Sequence, residues 1–325
     1  MSEIQLRPSH EDTNTAARVI AQHVEPTPLK EEIAFSESLN ANIFVKYEFL
    51  SPVKSFKIRG ALNLAHALAR GKNVSKVITV STGNHGAAMA FACREYNLQL
   101  TVGVPVNCDQ SKLELIRRFG GELEMIGQDL DETKELLQGR PLSPNTVFIE
   151  DGSSPEIVAG TSTIGSEIVQ ELPNVEIAIV PVGNGALIGG IGTTLKEFNP
   201  SIRVIGVQSE VAPCMALSFE AGHAVDTESC DTFATGMAVR VSIPEAVDLM
   251  LAVVDEMWVV SEIDLKAAMG AFYNHTGHLP EGAGVAPLAA ALKMRTALKN
   301  KTVCLIASGA NVDDILRQEI KEKFV

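Results

Sequence analysis

The strongest constraint on the fold is an alternation of short β-branched runs with helix-period segments. Several runs are apolar at consecutive positions, which is typical of strands buried on both faces of a parallel sheet. The pattern predicts an α/β protein whose ligands bind at the carboxyl ends of strands. The predicted strands are 42–48, 76–81, 100–105, 147–150, 177–182, 203–207, 257–261 and 302–307. The predicted helices are 56–70, 86–96, 111–119, 129–138, 161–172, 187–198, 262–276 and 284–297.

Length, charge and cysteine content limit the function classes. A chain of 325 residues suggests about two domains. An excess of 13 negative charges argues against nucleic acid or an anionic membrane as the main partner. The 5 cysteines are odd in number and widely spaced, so neither a disulfide framework nor structural zinc is expected. Because the first residues do not resemble a signal peptide, the sequence predicts a protein of the reducing cytoplasm.

A lysine motif is the first segment suited to chemistry. The sequence SFKIRGA at 55–61 places Lys57 at the start of a predicted helix, between apolar neighbours. An apolar setting disfavours the ammonium form, and a neutral amine forms a Schiff base with an aldehyde cofactor. Alone, the motif favours an ordinary lysine at a helix start, because most lysines lie at the surface, and Lys54 is a rival for the same role.

Two further turns each follow a predicted strand. The sequence STGNHG at 81–86 begins a helix, and its hydroxyls, amide and free N–H groups suit a carboxylate or a phosphate. A capped βα turn without a ligand has the same features. The sequence SGAN at 308–311 follows the last predicted strand, at the end where ligands bind.

A glycine-rich turn lies inside the longest uncharged stretch, 177–195. Its length raises the possibility of a membrane span, but Pro181, Asn184 and several glycines favour a buried strand, a turn and a packed helix. The N–H groups of such a turn can form an anion nest. The ligand is either a dinucleotide, with Glu210 after the next strand as ribose partner, or the single phosphate of another cofactor.

Taken together and in this order, the lysine motif at 55–61, STGNH at 81–85, GNGAL at 183–187 and SGAN at 308–311 resemble the fold-type II pyridoxal-phosphate enzymes. The resemblance is strongest to the threonine/serine dehydratases, which are ammonia-lyases, and to the related serine racemases. It implies a fold like that of the tryptophan synthase β chain, with two open α/β domains and pyridoxal 5'-phosphate in the cleft between them.

The same resemblance implies a domain organisation. A large cofactor-binding domain would comprise 1–75 and 150–325, and a small substrate-clamping domain would comprise 76–149. The polar, proline-rich segment 137–145 is interpreted as a domain crossover. The implied partners are a small amino-acid substrate and a second copy of the chain in a homodimer, with no nucleic acid and no membrane.

The resemblance also assigns roles to single residues. Lys57 would form the Schiff base and move the Cα proton, Asn84 would bond the cofactor's phenolic oxygen, and Ser308 would face the pyridine nitrogen as a neutral partner. The residues implied in cofactor binding are Phe56, Lys57, Asn84, Gly183, Asn184, Gly185, Ala186, Leu187, Gly236, Glu281 and Ser308. Those implied in substrate binding are Ser81, Thr82, Asn84 and His85.

The implied reaction is β-elimination from a 3-hydroxy amino acid, giving a 2-oxo acid and ammonia. Racemisation and β-replacement on the same fold remain alternatives. Thr82 bears on this choice, because racemases of the family place a serine hydroxyl at that position, and threonine carries its hydroxyl on a stiffer side chain. Thr82 is therefore the second candidate catalytic residue, and serine, threonine, 3-hydroxyaspartate and bulkier relatives all remain candidate substrates.

Some positions depart from the family pattern. Lys54 stands where the family has glycine, and a second cation there would favour the neutral form of Lys57 or pair with a substrate carboxylate. Phe49 replaces a common asparagine. Asn184 and Ala186 replace glycines of the phosphate loop, where a left-handed backbone would favour glycine.

No metal site is predicted. The family members that bind a divalent cation place acidic residues after strand 203–207, and this sequence has Gln208 and Cys214 there. Hard cations prefer oxygen ligands, especially carboxylates. The chain also ends soon after Ser308, so a C-terminal regulatory domain is not expected.

Overall fold

Helices alternate with the strands of two open sheets. The computed structural model of the chain describes residues 5–71, 73–108, 110–152 and 154–325, without the side chains at positions 111 and 112. The strands are β1 (Leu29–Glu31), β2 (Asn42–Lys46), β3 (Lys76–Val80), β4 (Gln99–Val104), β5 (Glu122–Met125), β6 (Thr146–Ile149), β7 (Ile177–Pro181), β8 (Arg203–Ser209), β9 (Glu256–Val260) and β10 (Thr302–Ile306). The helices are α1 (His10–Ile20), α2 (Ile33–Leu39), α3 (Lys57–Arg70), α4 (Asn84–Glu95), α5 (Gln110–Arg118), α6 (Leu130–Gln138), α7 (Pro155–Glu171), α8 (Ala186–Phe198), α9 (Cys214–Ala221), α10 (Pro244–Val253), α11 (Glu262–Thr276), α12 (Gly282–Lys293) and α13 (Asp314–Lys323).

The two sheets divide the chain unevenly. One has six strands in the order β1-β2-β10-β7-β8-β9, and the other has four in the order β5-β4-β3-β6. All neighbouring strands pair in parallel except β1, which runs antiparallel to β2 at the edge. Every strand of the four-stranded sheet comes from one continuous part of the chain, 76–149. The predicted α/β class is therefore confirmed.

The six-stranded sheet is buried on both faces. Along β7, Ile177 and Ile179 belong to one hydrophobic cluster, whereas Ala178 and Val180 belong to the other. Successive side chains of a strand point to opposite faces, so a core covers each side of the sheet. This explains why the sequence of this strand is apolar at consecutive positions.

Sequence periodicity placed most elements correctly. Each predicted strand is present, with ends that differ by no more than two residues. Helix α7 begins at Pro155, six residues before the predicted start, with Ser154 as its N-cap. A glycine and several β-branched residues in its first turns hide the helical period there. Elements that were not predicted are α1, α2, α9, α10, α13, β1 and β5.

Two interpretations of connecting segments were tested by the fold. The segment 137–145 links the end of α6 to β6, which pairs with β3 in the four-stranded sheet. Its interpretation as a domain crossover is wrong, because the chain returns to the six-stranded sheet only after β6. The uncharged stretch 177–195 forms β7, a turn and part of α8. In the described parts of the chain, no helix combines the length and apolarity needed to cross a membrane.

Candidate active site

A cleft of about 800 Å³ lies where loops from both sheets meet. Thr82 follows β3 and Asp151 follows β6, and both border this cleft. Asn184 follows β7 of the other sheet and borders it as well. The carboxyl ends of parallel strands therefore converge on one space, as expected for an open α/β sheet.

The amine of Lys57 is fixed beside a carboxylate. Lys57 is the first residue of α3, and Phe56 before it donates its backbone N–H to the carbonyl of Ser308 at 2.9 Å. Lys57 Nζ donates to both carboxylate oxygens of Asp151, at 2.8 and 2.6 Å, and lies 5.2 Å from the centre of the Phe56 ring. The amine is mostly shielded, since the Lys57 side chain is 15% exposed.

His85 completes this ionic cluster. It lies in the first turn of α4, and its ring nitrogens lie 3.0 Å from Thr79 Oγ1 and 3.3 Å from Asp151 Oδ1. Burial raises the pKa of Asp151, but the charges of Lys57 and His85 outweigh burial and hold that pKa well below its usual range. Asp151 is therefore an ionised carboxylate between two nitrogen groups.

A second polar cluster involves Asn84, Glu281 and Asn311. Asn84 donates its side-chain N–H to Glu281 at 2.7 Å and accepts from the amide of Asn311 at 2.6 Å. The backbone N–H of Asn311 donates to the other Glu281 oxygen at 3.1 Å. Burial raises the pKa of Glu281 to about 7, although these hydrogen bonds and the Lys57 charge lower it. The three residues join the start of α4 to the segment after β10.

The turn before α4 presents hydroxyl groups. Ser81 Oγ accepts the backbone N–H groups of Gly83 at 3.2 Å and Gly86 at 3.0 Å, so it caps the start of the helix. Thr82 is half-buried and borders the cleft. The predicted substrate-binding residues Ser81, Thr82, Asn84 and His85 thus lie together at this helix terminus, although His85 faces Thr79 and Asp151.

The glycine turn after β7 leads directly into α8. Its left-handed backbone falls on Gly185, with φ of 95°, and α8 begins at Ala186. Asn184 and Ala186 are not in the left-handed region, so their replacement of glycine is compatible with this turn. Asn184 accepts the N–H of Ala186 at 3.2 Å and donates to the carbonyl of Asp151 at 3.1 Å. The turn is thereby tied to the loop that carries Asp151.

The other residues predicted for the cofactor lie around this turn. Gly183 packs so closely against the segment at Gly236 that an added Cβ would lie 2.5 Å from the Gly236 carbonyl oxygen. An added Cβ at Gly309 would lie 2.5 Å from Glu281 Oε1. Ser308 and Leu187 are buried. The structure therefore brings the predicted cofactor-binding residues to the walls of one site.

Three positions that depart from the family pattern have different surroundings. Phe49 is buried against Tyr47 and Phe272 in an aromatic cluster. Lys54 is exposed and has a left-handed backbone, with φ of 55°. Gln208 is buried and accepts the N–H of Ala216 at 2.8 Å. Within the described ranges, no group of three or more His, Cys, Asp or Glu residues is arranged to hold a metal ion.

A buried ion cluster anchors the helix that carries the lysine. Arg59 is 3% exposed and donates to Glu48 through Nε and Nη2, both at 2.8 Å. Arg59 also donates to Glu167 at 2.6 and 2.8 Å, and Lys46 Nζ lies 2.6 Å from the same carboxylate. Because Lys57 and Arg59 are two residues apart on α3, this cluster fixes the position from which Lys57 extends.

A glycine crossing holds the same helix from another side. An added Cβ at Gly160 of α7 would lie 2.6 Å from the Arg59 carbonyl oxygen and from Gly60 Cα. Only glycine permits such close approach of two helices. The glycine at position 60 of the lysine motif thus allows α3 and α7 to pack closely, whereas Lys57 extends toward the cleft.

The residues present fit the functional groups of pyridoxal phosphate. Lys57 offers a primary amine to the aldehyde, and the first-turn N–H groups of α8 lack intrahelical partners and can bind a phosphate. Ser308 offers a neutral hydroxyl at the carboxyl end of β10. The crowded glycines 183 and 309 show that backbone, rather than side chains, forms part of the wall. A flat ring with a phosphate matches this combination.

Known proteins share the sequence pattern and the fold of this chain. Residues 20–309 match the family described as pyridoxal-phosphate dependent enzyme. An L-threonine ammonia-lyase of Thermotoga maritima is 34% identical over 303 residues, which are 93% of this chain and 75% of that protein. The processed form of threonine deaminase isoform 2 from Solanum lycopersicum superimposes with a TM-score of 0.88 at 29% identity, over 98% of this chain and 94% of that one. Maize serine racemase superimposes with a TM-score of 0.90 at 27% identity, over 96% of each chain.

The chain therefore belongs to the pyridoxal-phosphate dependent enzyme family, and within it to the fold-type II class. The family match and the structural matches confirm the fold predicted from the four motifs. They also confirm pyridoxal phosphate as the cofactor. The alternative of a dinucleotide at the glycine turn is thereby set aside.

Sequence reasoning missed Asp151 and the Arg59 ion cluster. Asp151 directly follows a predicted strand, and that position alone could have marked it as a candidate, because ligands bind at strand carboxyl ends. The carboxylates that bind Arg59, Glu48 and Glu167, are 11 and 108 residues away in sequence. No local pattern connects them.

Proposed function

We propose that this protein is an ammonia-lyase that eliminates the 3-hydroxyl group from a 3-hydroxy amino acid, giving a 2-oxo acid and ammonia. One observation carries the proposal. The shielded amine of Lys57 binds Asp151 at the cleft, and Asp151 is also contacted by His85 at the start of α4 and by Asn184 just before α8, so two helix N-termini lie beside this pair. One terminus suits a phosphate and the other suits a substrate carboxylate.

The proposed roles at the cofactor follow from this placement. The first turn of α8 would bind the phosphate with the N–H groups of Gly183–Leu187, and Phe56 and Gly236 would contact the ring. Asn84, oriented by Glu281 and Asn311, would bond the phenolic oxygen with its remaining N–H. Ser308 would bond the pyridine nitrogen without adding charge.

Bound pyridoxal phosphate supplies an electron sink for the pair of electrons left when the Cα proton departs. The chain would supply the base, because the amine of Lys57 could accept that proton. Ser308 would give the pyridine nitrogen a neutral partner, which would favour prompt loss of the β-hydroxyl group. These roles explain elimination as the favoured outcome.

The substrate carboxylate would bind at the start of α4. The hydroxyls of Ser81 and Thr82 and the side chain of Asn84 lie there, beside the positive end of the helix. His85 would hold the start of α4 in place beside this anion site, through its contact with Asp151. The site binds an anion with local dipoles although the whole protein is acidic.

We also propose that the two sheets belong to two domains, a large one comprising 1–75 and 150–325 and a small one comprising 76–149. The confinement of one sheet to 76–149 supports this division. Movement of the small domain toward Lys57 would close the cleft and exclude water from the reaction. Arg240 and Asp131 form an ion pair at the cleft wall that would reinforce the closed state.

The substrate is proposed to be L-threonine or a close 3-hydroxy analogue, because the Thermotoga maritima relative is named L-threonine ammonia-lyase. The test is a screen for 2-oxo acid release from L-threonine, L-serine, 3-hydroxyaspartate and bulkier 3-hydroxy amino acids. Lys57→Ala serves as the inactive control. If no amino acid yields a Lys57-dependent product, the lyase proposal is wrong.

Racemisation is a second candidate, and the position of Thr82 favours it. Its hydroxyl borders the cleft at the turn before α4, while Lys57 extends from α3. A second proton-carrying group away from the lysine is what racemisation requires. Chiral analysis of L-serine after incubation measures it, and Thr82→Val removes the hydroxyl while keeping the shape. Formation of D-serine that Thr82→Val abolishes would establish this activity.

We further propose that the protein is a cytoplasmic homodimer. Cys93, Cys214 and Cys304 are buried thiols outside any disulfide, which suits a reducing compartment. Sedimentation of the purified protein tests the assembly, and fractionation of source cells tests the location. A monomer at micromolar concentration contradicts the first, and enrichment outside the cytoplasm contradicts the second.

A further inference from the structure

We propose that Asp151 is a further catalytic residue, whose carboxylate is the counter-ion for whichever amine is free in the site. That amine is Lys57 when its nitrogen is unbonded, and the ammonium group of the arriving amino acid when Lys57 is bonded to the cofactor. The inference rests on the proposed function, because it assumes an amino-acid substrate.

The geometry places Asp151 at the point where the two amines exchange. Both of its carboxylate oxygens accept from Lys57 Nζ, within 2.8 Å. Its side chain is 30% exposed and borders the cleft together with Thr82 and Asn184. A substrate that enters through the cleft can therefore reach Asp151 beside Lys57.

The backbone holds this carboxylate in place. Asp151 lies two residues after the end of β6, and its carbonyl accepts from the Asn184 side chain at 3.1 Å. Gly152, with φ of 86°, packs so closely that an added Cβ would lie 2.4 Å from Asn184 Nδ2. The Asp151 loop is thus fixed against the glycine turn, and the position of its carboxylate is determined by the same residues that form the phosphate site.

Hydrogen-bond donors define how Asp151 pairs with His85. Thr79 has one hydroxyl hydrogen, and it donates this to the Ile149 carbonyl at 2.8 Å. His85 Nε2 must then donate to Thr79 Oγ1, at 3.0 Å, so it carries hydrogen. The other nitrogen, Nδ1, lies 3.3 Å from the carboxylate, where only a second N–H gives attraction. With a hydrogen on each ring nitrogen, His85 would add a positive charge beside the Asp151 carboxylate.

The loss of one partner creates the need for another. When Lys57 is bonded to the cofactor, its ammonium no longer neutralises Asp151, and a carboxylate in a shielded cleft is costly without a partner. An incoming ammonium group restores the pair and is thereby positioned next to Lys57. Asp151 itself takes up no proton, because Lys57 and His85 keep it ionised against the effect of burial. As the incoming nitrogen bonds to the cofactor carbon, the bond between that carbon and Lys57 would break, and the protons of the incoming ammonium would pass to the Lys57 nitrogen, which would then pair with Asp151 again.

The test compares the full chain, freed of cofactor, as wild type, Asp151→Asn and Asp151→Glu. Lys57 is acetylated at neutral pH with sulfosuccinimidyl acetate, and its modification rate is read by peptide mass spectrometry. An ion-paired ammonium group is not nucleophilic, so we expect Asp151→Asn to raise the rate about 10-fold, the equivalent of one charge-assisted hydrogen bond. Asp151→Glu should restore slow modification, because it retains a carboxylate.

Glu150→Gln is the matched control. Glu150 is the adjacent acid, borders the same cleft and pairs with Lys134 rather than with Lys57. We expect it to leave Lys57 acetylation unchanged. Equal acetylation rates in wild type and Asp151→Asn would overturn the inference, and so would an equal increase in Glu150→Gln. Thermal unfolding checks that each variant folds, and Asp151→Ser replaces Asp151→Asn if the latter does not.

A second measurement uses the enzyme loaded with cofactor. Asp151→Asn should lower kcat/KM for the active amino acid by about 10- to 100-fold, and Asp151→Glu should recover part of it. The two proposals fail separately. If no substrate is found but Lys57 acetylation responds as expected, the lyase proposal fails and the pairing of Asp151 with Lys57 stands. If elimination occurs and Asp151→Asn changes neither measurement, only the inference about Asp151 fails.

Discussion

Two ion clusters on the same helix have opposite designs. Lys57 and Arg59 are two residues apart at the start of α3, and each pairs with carboxylates from distant segments. The Arg59 cluster is largely enclosed, because Arg59, Lys46 and Glu48 are at most 3% exposed, and the two cations face the carboxylates of Glu48 and Glu167. The charges of these four side chains balance, and the Arg59 guanidinium also donates to the hydroxyls of Thr27 and Thr163.

The Lys57 cluster is open to the cleft. Asp151 is 30% exposed and lies between Lys57 and His85. A buried cluster in which every charge has a partner stabilises one structure, since the loss of any member leaves a buried charge without a partner. A cluster that opens to a cleft can exchange partners, which chemistry requires. The comparison therefore assigns a structural role to Arg59 and a role in the reaction to Lys57, although both residues belong to one short motif.

The largest expected effect comes from removing the reactive amine. Lys57→Ala should lower kcat for 2-oxo acid release by about 10⁴-fold or more, because both the covalent link and the proton transfer depend on it. The free energy of unfolding should change little, since the amine is at the cleft rather than in the core. Steady-state kinetics and urea unfolding on the same preparation measure both. A folded variant that retains a tenth of wild-type activity would contradict the assignment.

Arg59→Leu should produce the opposite outcome, a loss of stability. Removal of one partner from a buried ion cluster leaves carboxylates unpaired and costs about 3 to 5 kcal/mol. The urea midpoint should fall accordingly, and the remaining folded protein should keep cofactor absorbance. Glu171→Gln is the control, because Glu171 is 46% exposed and lies 3.6 Å from Lys46, so its loss should cost less than about 1 kcal/mol. Equal effects of the two variants would remove the distinction between the clusters.

Sequence reasoning succeeded where a signal is local. The strands are predicted by short apolar runs. The glycine turn at 183–187 and the lysine motif are also short, and their residue types alone indicate a turn and a helix start. Edge strand β1, with three residues, and the amphipathic helix α1 have weaker signals and were missed. Asp151 and Glu167, which bind Lys57 and Arg59, lie 94 and 108 residues away in sequence, because folding rather than local sequence brings β6 and α7 beside α3. The roles of the individual site residues remain predictions.

Glu281 differs from Asp151 because no cation pairs with it directly, and the pH dependence of stability tests whether its protonation differs as well. Its hydrogen bonds come from Asn84 and Asn311, and burial raises its pKa from 4.5 to about 7. A raised carboxyl pKa contributes stability below pH 4.5 that is lost as the pH rises through about 7. Between pH 5 and pH 8, wild type should therefore lose about 1 to 3 kcal/mol relative to Glu281→Gln.

Urea unfolding across this pH range measures the difference between the two proteins. Glu210→Gln is the control, since Glu210 is exposed and its replacement should give a difference that does not vary with pH. If the difference between wild type and Glu281→Gln is flat from pH 5 to pH 8, Glu281 is ionised throughout. Asn84 would then be held by a carboxylate rather than by a neutral acid.

The smallest expected effect concerns Lys54, the cation nearest to Lys57 in sequence. Its side chain is exposed, so solvent screens its charge, and we expect Lys54→Ala to leave the relative rates over the hydroxy amino acids unchanged.

The backbone of Lys54 has φ of 55°, which costs energy for any residue with a Cβ, so Lys54→Gly should stabilise the protein by about 0.5 to 1 kcal/mol. Asn40→Gly, at φ of 50°, is the control and should change stability less, because asparagine tolerates this region. A selective loss of activity toward 3-hydroxyaspartate in Lys54→Ala would instead show that Lys54 binds a second carboxylate of the substrate. The Lys57 cluster would then include Lys54 in addition to Asp151 and His85.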